Sequence, residues 1–120
     1  RAQGTAPALV GGSQKHGGAD LGPTRAKAAW LQLGVDGKGI ADEAPSEMFP
    51  AGHTPRLTNE MVSRIQGFDP TWKFSGRKTS VYRQIGNAFP PPVAQNVGRA
   101  IREALGAQAL PVNRGLSIVA

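Results

Sequence analysis

Glycine and proline interrupt this chain throughout. With 16 Gly and 10 Pro among 120 residues, about a fifth of the total, it lies just under the level at which low-complexity disorder becomes the default reading. Loops must therefore be plentiful. Leu, Ile, Val and Phe together make up about another fifth, close to the composition at which a chain struggles to bury its own core. The chain is accordingly expected to lean on something else. Its length matches the roughly 100–200 residues of one compact domain and excludes a complete two-domain enzyme.

There are no cysteines, so disulfides, thiolate metal sites and a thiol nucleophile are excluded by counting. No stretch approaches the roughly 18 apolar residues of a membrane span, and the N-terminus lacks the layout of a secretory signal; the expectation is a soluble, cytoplasmic protein. Because the sequence opens on Arg1 and not Met, a fragment or processed chain is expected. The net charge is +6 with a pI near 10.6. It is lopsided: residues 1–55 are balanced, and residues 56–120 carry the whole excess. Nucleic acid is the natural anionic partner, and a solvated basic surface is the plain alternative.

Residues 1–23 hold one short apolar run, Ala8-Leu9-Val10, followed by Gly11-Gly12-Ser13-Gln14-Lys15-His16-Gly17-Gly18, which reads as a short strand entering a loop. Pro23-Thr24 opens a helix through about Leu33, with Ala28, Trp30 and Leu31 on a partial apolar face and Gly34 as its stop. Arg25 and Lys27 in its first turn oppose the macrodipole, a small cost that an anionic partner offsets. Residues 34–55 have no period of either kind and read as loop. Thr58 has the chemistry of an N-cap for a helix to Gln66, in which Met61, Val62 and Ile65 share a face, and Gly67 is placed to end it in a left-handed conformation. Phe68, Trp72 and Phe74 follow in an aromatic turn. The pattern then predicts a short helix over Ser80–Ile85 and a longer one from about Pro92 to Leu105, where Val93, Val97, Ile101 and Leu105 recur every four residues before Gly106. Leu116–Val119 is either a strand or a frayed end.

His16 and His53 have no spacing that pairs them with a nucleophile or with metal partners, so neither a catalytic nor a metal residue is assigned. The Gly11-Gly12 and Gly17-Gly18 pairs suit a phosphate cradle or a plain loop, but they lack both the GxGxxG and the Walker spacing. Lys73, Arg77, Lys78 and Arg83 flank Trp72 and Phe74, a mixture fit for phosphate contact or for an exposed loop.

Two blocks are more specific. Arg56-Leu57-Thr58 leads to Arg64-Ile65-Gln66-Gly67-Phe68, and further on stands Tyr82-Arg83-Gln84-Ile85-Gly86-Asn87-Ala88-Phe89-Pro90-Pro91-Pro92-Val93-Ala94. In this order and spacing they resemble the ninth and tenth conserved motifs of the bacterial DNA (cytosine-5) methyltransferases, and Pro7-Ala8-Leu9-Val10-Gly11-Gly12-Ser13 is similar to the end of that family's target-recognition region. The resemblance implies a C-terminal segment. Residues 1–55 would close the recognition region with its glycine-rich loop and an insertion, 56–78 form the ninth-motif helix and aromatic turn, 79–106 the tenth-motif segment and helix, and 107–120 a tail. The implied fold is α+β: a small, loop-rich recognition domain with short strands and three to four helices, whose last long helix packs on an α/β methyltransferase domain absent from this chain.

Gln84-Ile85-Gly86-Asn87 places an amide past a glycine and before a proline stretch that forbids helix, so Asn87 is expected to be extended and exposed; a turn cap is the alternative. By resemblance, Asn87 and Ala88 help close a site for S-adenosyl-L-methionine, held mainly by the missing domain. The resemblance also puts Ser13, Gln14, Lys15 and His16 in the DNA major groove, with Arg25 and Lys27 as further DNA-binding residues. Arg56, Arg64, Gly67, Phe68, Gln84 and Gly86 fall on structural motif positions. Arg56 and Arg64 are expected to make buried or half-buried hydrogen bonds to loop carbonyls or carboxylates, with DNA contact as the other reading. Ala8 stands where the family usually has Thr.

The complete enzyme that the resemblance implies flips a cytosine out of the duplex, attacks its C6 with a Cys thiolate and methylates C5, in a restriction-modification setting. This chain has neither the Pro-Cys nor the Phe-x-Gly-x-Gly block, so alone it is expected to be inactive. Its expected partners are double-stranded DNA and an upstream catalytic domain or subunit, with no membrane, in the bacterial cytoplasm at the nucleoid. The competing class is a non-catalytic basic DNA-binding module or a subunit of a split methyltransferase.

Overall fold

A computed structural model describes residues 4–11 and 18–106. Four helices follow one another: α1 (Thr24–Gln32), α2 (Asn59–Gln66), α3 (Lys78–Asn87) and α4 (Pro91–Ala104). None is long and apolar enough to cross a membrane. The predicted Ser13–His16 positions and the Leu116–Val119 segment lie outside the described residues.

The best-specified helix is α2. Thr58 is extended (φ −86°, ψ 165°) and its hydroxyl accepts from the Met61 amide at 3.2 Å, satisfying one N–H that the helix cannot pair internally. Gly67 ends the helix at φ 91°, where a Cβ would be strained and would also meet Pro92 Cδ at 2.8 Å. α3 is longer than the predicted Ser80–Ile85. At its far end the restraint imposed by Pro90 falls on Phe89, its immediate predecessor, leaving Gly86 and Asn87 free to stay helical. Asn87 is therefore the last helical residue and not extended; the extended backbone begins at Ala88 (φ −70°, ψ 141°). α4 opens on Pro91, whose missing N–H costs nothing at a first helical position.

The core forms where α2 and α3 pack together. Val62 of α2, Tyr82 and Ile85 of α3, and Leu21 are fully buried, and Leu9, Trp30, Ile40 and Phe68 close around them. Each buried aliphatic or aromatic side chain contributes about 1.5–3 kcal/mol. The Phe68 ring meets Trp72 at 5.6 Å and Phe74 edge-on at 5.0 Å, so the aromatic turn after α2 is a packed unit. The chain between α1 and α2 is fixed by backbone bonds from Leu21 N to Gly37 O (3.0 Å), Asp36 N to Pro55 O (2.9 Å) and Ala41 N to Leu57 O (2.9 Å).

The expectation of an α+β fold with short strands is corrected to a mainly helical, loop-rich one. Among the described residues no strand forms, and the β pairing is a single parallel bridge between Ala41 and Thr58. Leu9 points inward and Val10 outward, as the alternation suggested. The neighbour they meet, however, is α3, whose backbone groups are already paired within the helix and offer no ladder.

α4 stands apart. No residue of it is buried, and its apolar stripe is open to solvent, with Val93 and Val97 46% exposed, Ile101 56% and Leu105 78%. Among the described residues nothing covers this stripe.

Candidate functional site

One face of α3 gathers the chain on both sides of residues 12–17. Tyr82 is fully buried, and its hydroxyl proton is shared between two carbonyls, Val10 O at 2.8 Å and Asp20 O at 2.6 Å. One turn further along, Gly86 lies against the backbone of the same segment. A Cβ at that position would fall 2.7 Å from the Cα and N of Gly11 and 2.8 Å from Val10 C. The reciprocal holds, because a Cβ on Gly11 would overlap the Asn87 amide, 2.5 Å from its Cγ and 2.9 Å from Nδ2. Two glycines thus let helix and extended chain touch backbone to backbone. The Asn87 amide rests on the residue that opens the glycine-rich segment.

The second stem is held from α1. Lys27 Nζ bonds Asp20 Oδ2 at 2.6 Å, and Asp20 Oδ1 accepts from the Gly22 amide at 3.1 Å. Burial, with the nearby Asp20 charge adding to it, pushes the Tyr82 phenol up to about 12. It is a neutral donor throughout the physiological range.

Other polar ties fix the end of α3 and the segments beside it. Gln66 Nε2 donates to Ala88 O at 2.8 Å, joining the end of α2 to the residue after Asn87. Gln84 Nε2 donates to Ser75 O at 2.8 Å, which holds the turn before α3. Both Gln84 and Gly86 therefore hold neighbouring segments in place. Gly67 is the left-handed stop of α2, and Phe68 is core.

Arg56 and Arg64 both face carboxylates, but as exposed side chains and not in the buried or half-buried hydrogen bonds expected of them. Arg56 Nε reaches Asp36 Oδ2 at 2.8 Å with 48% of its side chain exposed, and Arg64 Nη2 lies 3.5 Å from Glu60 Oε1 with 49% exposed. The Arg56 bond, followed by the Lys38 amide, holds the Asp36 carboxyl below its ordinary value. Lys27, expected on DNA, pairs with Asp20 in this structure. Arg25 is exposed and has no carboxylate partner among the described residues.

Arg83 stood in the sequence block and among the cations read as fit for phosphate contact or for an exposed loop. It sits one turn before Gly86 and Asn87, at the spacing that places residues on one side of a helix. It is half-buried, no carboxylate faces it among the described residues, and its Nε is buried without an acceptor. An uncompensated buried donor on a cation is costly, and an anion is the chemistry that relieves it. Sequence reasoning missed the role of Tyr82. The available signal was a tyrosine on the buried face of a helix, since a phenol placed in a core needs a partner for its O–H.

Comparison with known proteins follows the same stretch of chain. The family model described as C-5 cytosine-specific DNA methylase matches residues 13–103. Over 103 residues the chain is 65% identical to the Type II methyltransferase M.NaeI of Lentzea aerocolonigenes, an overlap of 83% of this chain and 24% of that protein. It is 67% identical over 51 residues to the Type II methyltransferase M.NgoMIV of Neisseria gonorrhoeae, covering 42% and 16%. It is 51% identical over 43 residues to DNA (cytosine-5)-methyltransferase 3 of Arabidopsis thaliana, covering 36% and 3%. The chain thus spans about a quarter of the length of the first of these relatives and less of the others. No solved structure matches it.

Proposed function

The chain belongs to the C-5 cytosine-specific DNA methylase family, and from that premise we propose that it is the C-terminal part of a restriction-modification DNA (cytosine-5) methyltransferase. In this reading residues 1–55 end the target-recognition region, 56–78 and 79–106 carry the ninth and tenth motifs, and 107–120 are a tail. The observation that carries it is the meeting of Gly11 with Asn87 on α3. In this reading a DNA-reading segment and a cofactor-side amide, separate in the sequence, meet at one point. The exposed stripe of α4 supports an upstream catalytic domain as its cover, because a helix with no buried residue of its own gains from burying those side chains elsewhere.

The residues present fit S-adenosyl-L-methionine at this end of α3. The Asn87 side chain is exposed and carries both a donor and an acceptor that suit a ligand, and Ala88 adds no bulk beside it. When bound, that group supplies the methyl. The work of this chain is to orient and enclose. Ser13, Gln14, Lys15 and His16 are assigned to the base edges of double-stranded DNA. Arg83 and Arg25, cations without carboxylate partners among the described residues, are assigned to its phosphates.

The test is complementation. This chain is mixed with a polypeptide carrying the upstream half and its Cys nucleophile, and methyl incorporation into duplex DNA is followed from labelled S-adenosylmethionine. Each half alone is expected to be inactive and the mixture active. A well-folded mixture that transfers nothing overturns the proposal.

A further inference from the structure

Ala88 is the joint between α3 and the proline run that follows it. Asn87 is held within the helix. Pro90 restrains Phe89, and the rings of Pro90, Pro91 and Pro92 fix their own φ. Ala88 stands between these two rigid stretches with the ordinary freedom of an alanine, in an extended conformation (φ −70°, ψ 141°). Its carbonyl also lacks local donors. A turn or a helix would bring it the N–H of the third or fourth residue on, and those residues, Pro91 and Pro92, have none. The donor comes instead from the end of α2. Gln66 Nε2, 22 residues back, reaches Ala88 O at 2.8 Å in a partly buried setting. The neighbouring contact is steric, since a Cβ on Gly67 would meet Pro92 Cδ at 2.8 Å. Packing of that kind limits how near the two segments come, whereas a directional bond sets which way the Ala88 carbonyl turns.

We infer that Gln66 is a positioning residue for the cofactor side of the site: by holding the Ala88 carbonyl from α2 it fixes the joint that carries Asn87 and Ala88, and so raises affinity for S-adenosyl-L-methionine without touching it. This rests on the reading that Asn87 and Ala88 help close the cofactor site. A joint already held costs little to order when a ligand arrives, whereas a loose one is ordered at the expense of binding. DNA affinity is spared. The cations assigned to phosphates, Arg83 and Arg25, lie within α3 and α1, whose backbones are set by their own helical bonds.

The experiment is equilibrium dialysis of labelled S-adenosyl-L-methionine, without DNA and so without turnover, against this chain mixed with the upstream half. The wild type is compared with Gln66→Met, which keeps the bulk and the helix propensity but has no donor. Affinity for duplex DNA is measured alongside. In Gln66→Met the dissociation constant for the cofactor should rise about fivefold, the effect of one net hydrogen bond, while that for DNA stays within about twofold. Gln66→Glu, the same shape with an acceptor turned toward the carbonyl, should weaken cofactor binding at least as much. Ile85→Val, which thins the buried core of α3, serves as the folding control and should lower the melting temperature without changing cofactor affinity. Unchanged cofactor affinity in either Gln66 variant overturns this inference and leaves the methyltransferase reading standing. A loss matched by Ile85→Val, or falling alike on cofactor and DNA, also overturns it, because that is the signature of a merely structural glutamine. A wild-type mixture that binds the cofactor no better than the upstream half alone overturns the assignment of Asn87 and Ala88, and this inference with it.

Discussion

Gly86→Ala and Gly98→Ala are the same substitution in two helices of this chain, and their effects should have opposite sign. Alanine is the better helix former by about 1 kcal/mol, so helix propensity alone stabilises both. At Gly98, within α4, an added Cβ meets nothing within 4 Å, and the gain should be kept. At Gly86 the added Cβ falls 2.7 Å from Gly11 Cα and N, where ordinary contact begins at 3.4 Å. The neighbours are backbone atoms, with no flexible side chain to swing away, so helix and segment must separate by about 0.7 Å. Overpacking of this kind costs about 1–3 kcal/mol. The displacement also strains the Tyr82 bond to Val10 O, for about 1 kcal/mol more. Together these exceed the propensity gain, leaving Gly86→Ala destabilised by about 1–3 kcal/mol. Urea unfolding followed by circular dichroism measures both variants against wild type. If Gly86→Ala is as stable as Gly98→Ala, the backbone contact between α3 and Gly11 is not there and the argument built on it fails.

Three further outcomes are expected. The Tyr82 phenol should make stability fall at alkaline pH: below its ordinary value of 10 it is neutral folded and unfolded, and as pH rises through 10 toward about 12 only the unfolded chain ionises. That loss of up to about 3 kcal/mol, at about 1.4 kcal/mol per unit, should vanish from the difference between pH 9 and pH 12 melts in Tyr82→Phe. Asp36 runs the other way. Its lowered value means that the contribution of the Arg56 pair is complete above 3.8 and drains as pH falls below it, so Asp36→Asn should flatten the acid limb of a stability–pH curve between pH 5 and about pH 2. Arg83→Gln should lower the slope of log affinity for duplex DNA against log salt by about 0.9, the value of one lost phosphate contact, while Arg83→Lys keeps it; an unchanged slope in Arg83→Gln removes Arg83 from the DNA surface.

Much of α2 was legible because its signals are local. A capping hydroxyl at Thr58 and a left-handed glycine at Gly67 depend on the nearest few residues, and both are found in place. The stripe on α4 was legible for the same reason. Strand pairing is not local. Leu9-Val10 carries an apolar run, yet whether it joins a sheet depends on what lies beside it, and here that is a helix. Asn87 shows the limit of reasoning from proline: the restraint reaches one residue back, and two residues separate Asn87 from Pro90. The stem contacts were not legible at all, since Tyr82 reaches back 72 residues to Val10 and 62 to Asp20. No periodicity encodes a bond of that span.

The same arithmetic explains why the loops beside α3 are held largely by polar ties. With about a fifth of its residues Leu, Ile, Val or Phe, and the best apolar stripe left open on α4, the chain has few side chains with which to bury its loops. Positioning passes instead to hydrogen bonds and close backbone approach. Tyr82 holds two stems, Gln84 the turn at Ser75, Gln66 the residue after α3, and Lys78 bonds Asp42 at 2.9 Å across the start of the helix. Such ties fix direction better than they supply energy, because a net hydrogen bond contributes about 1 kcal/mol and a half-exposed ion pair such as Lys78–Asp42 less. A segment held this way is well aimed but weakly stabilised, which is why covering the α4 stripe should raise the stability of the whole chain far more than any substitution on α3. The four side chains of that stripe, each partly exposed now, offer on the order of 1 kcal/mol apiece on burial, and no polar tie on α3 matches their sum.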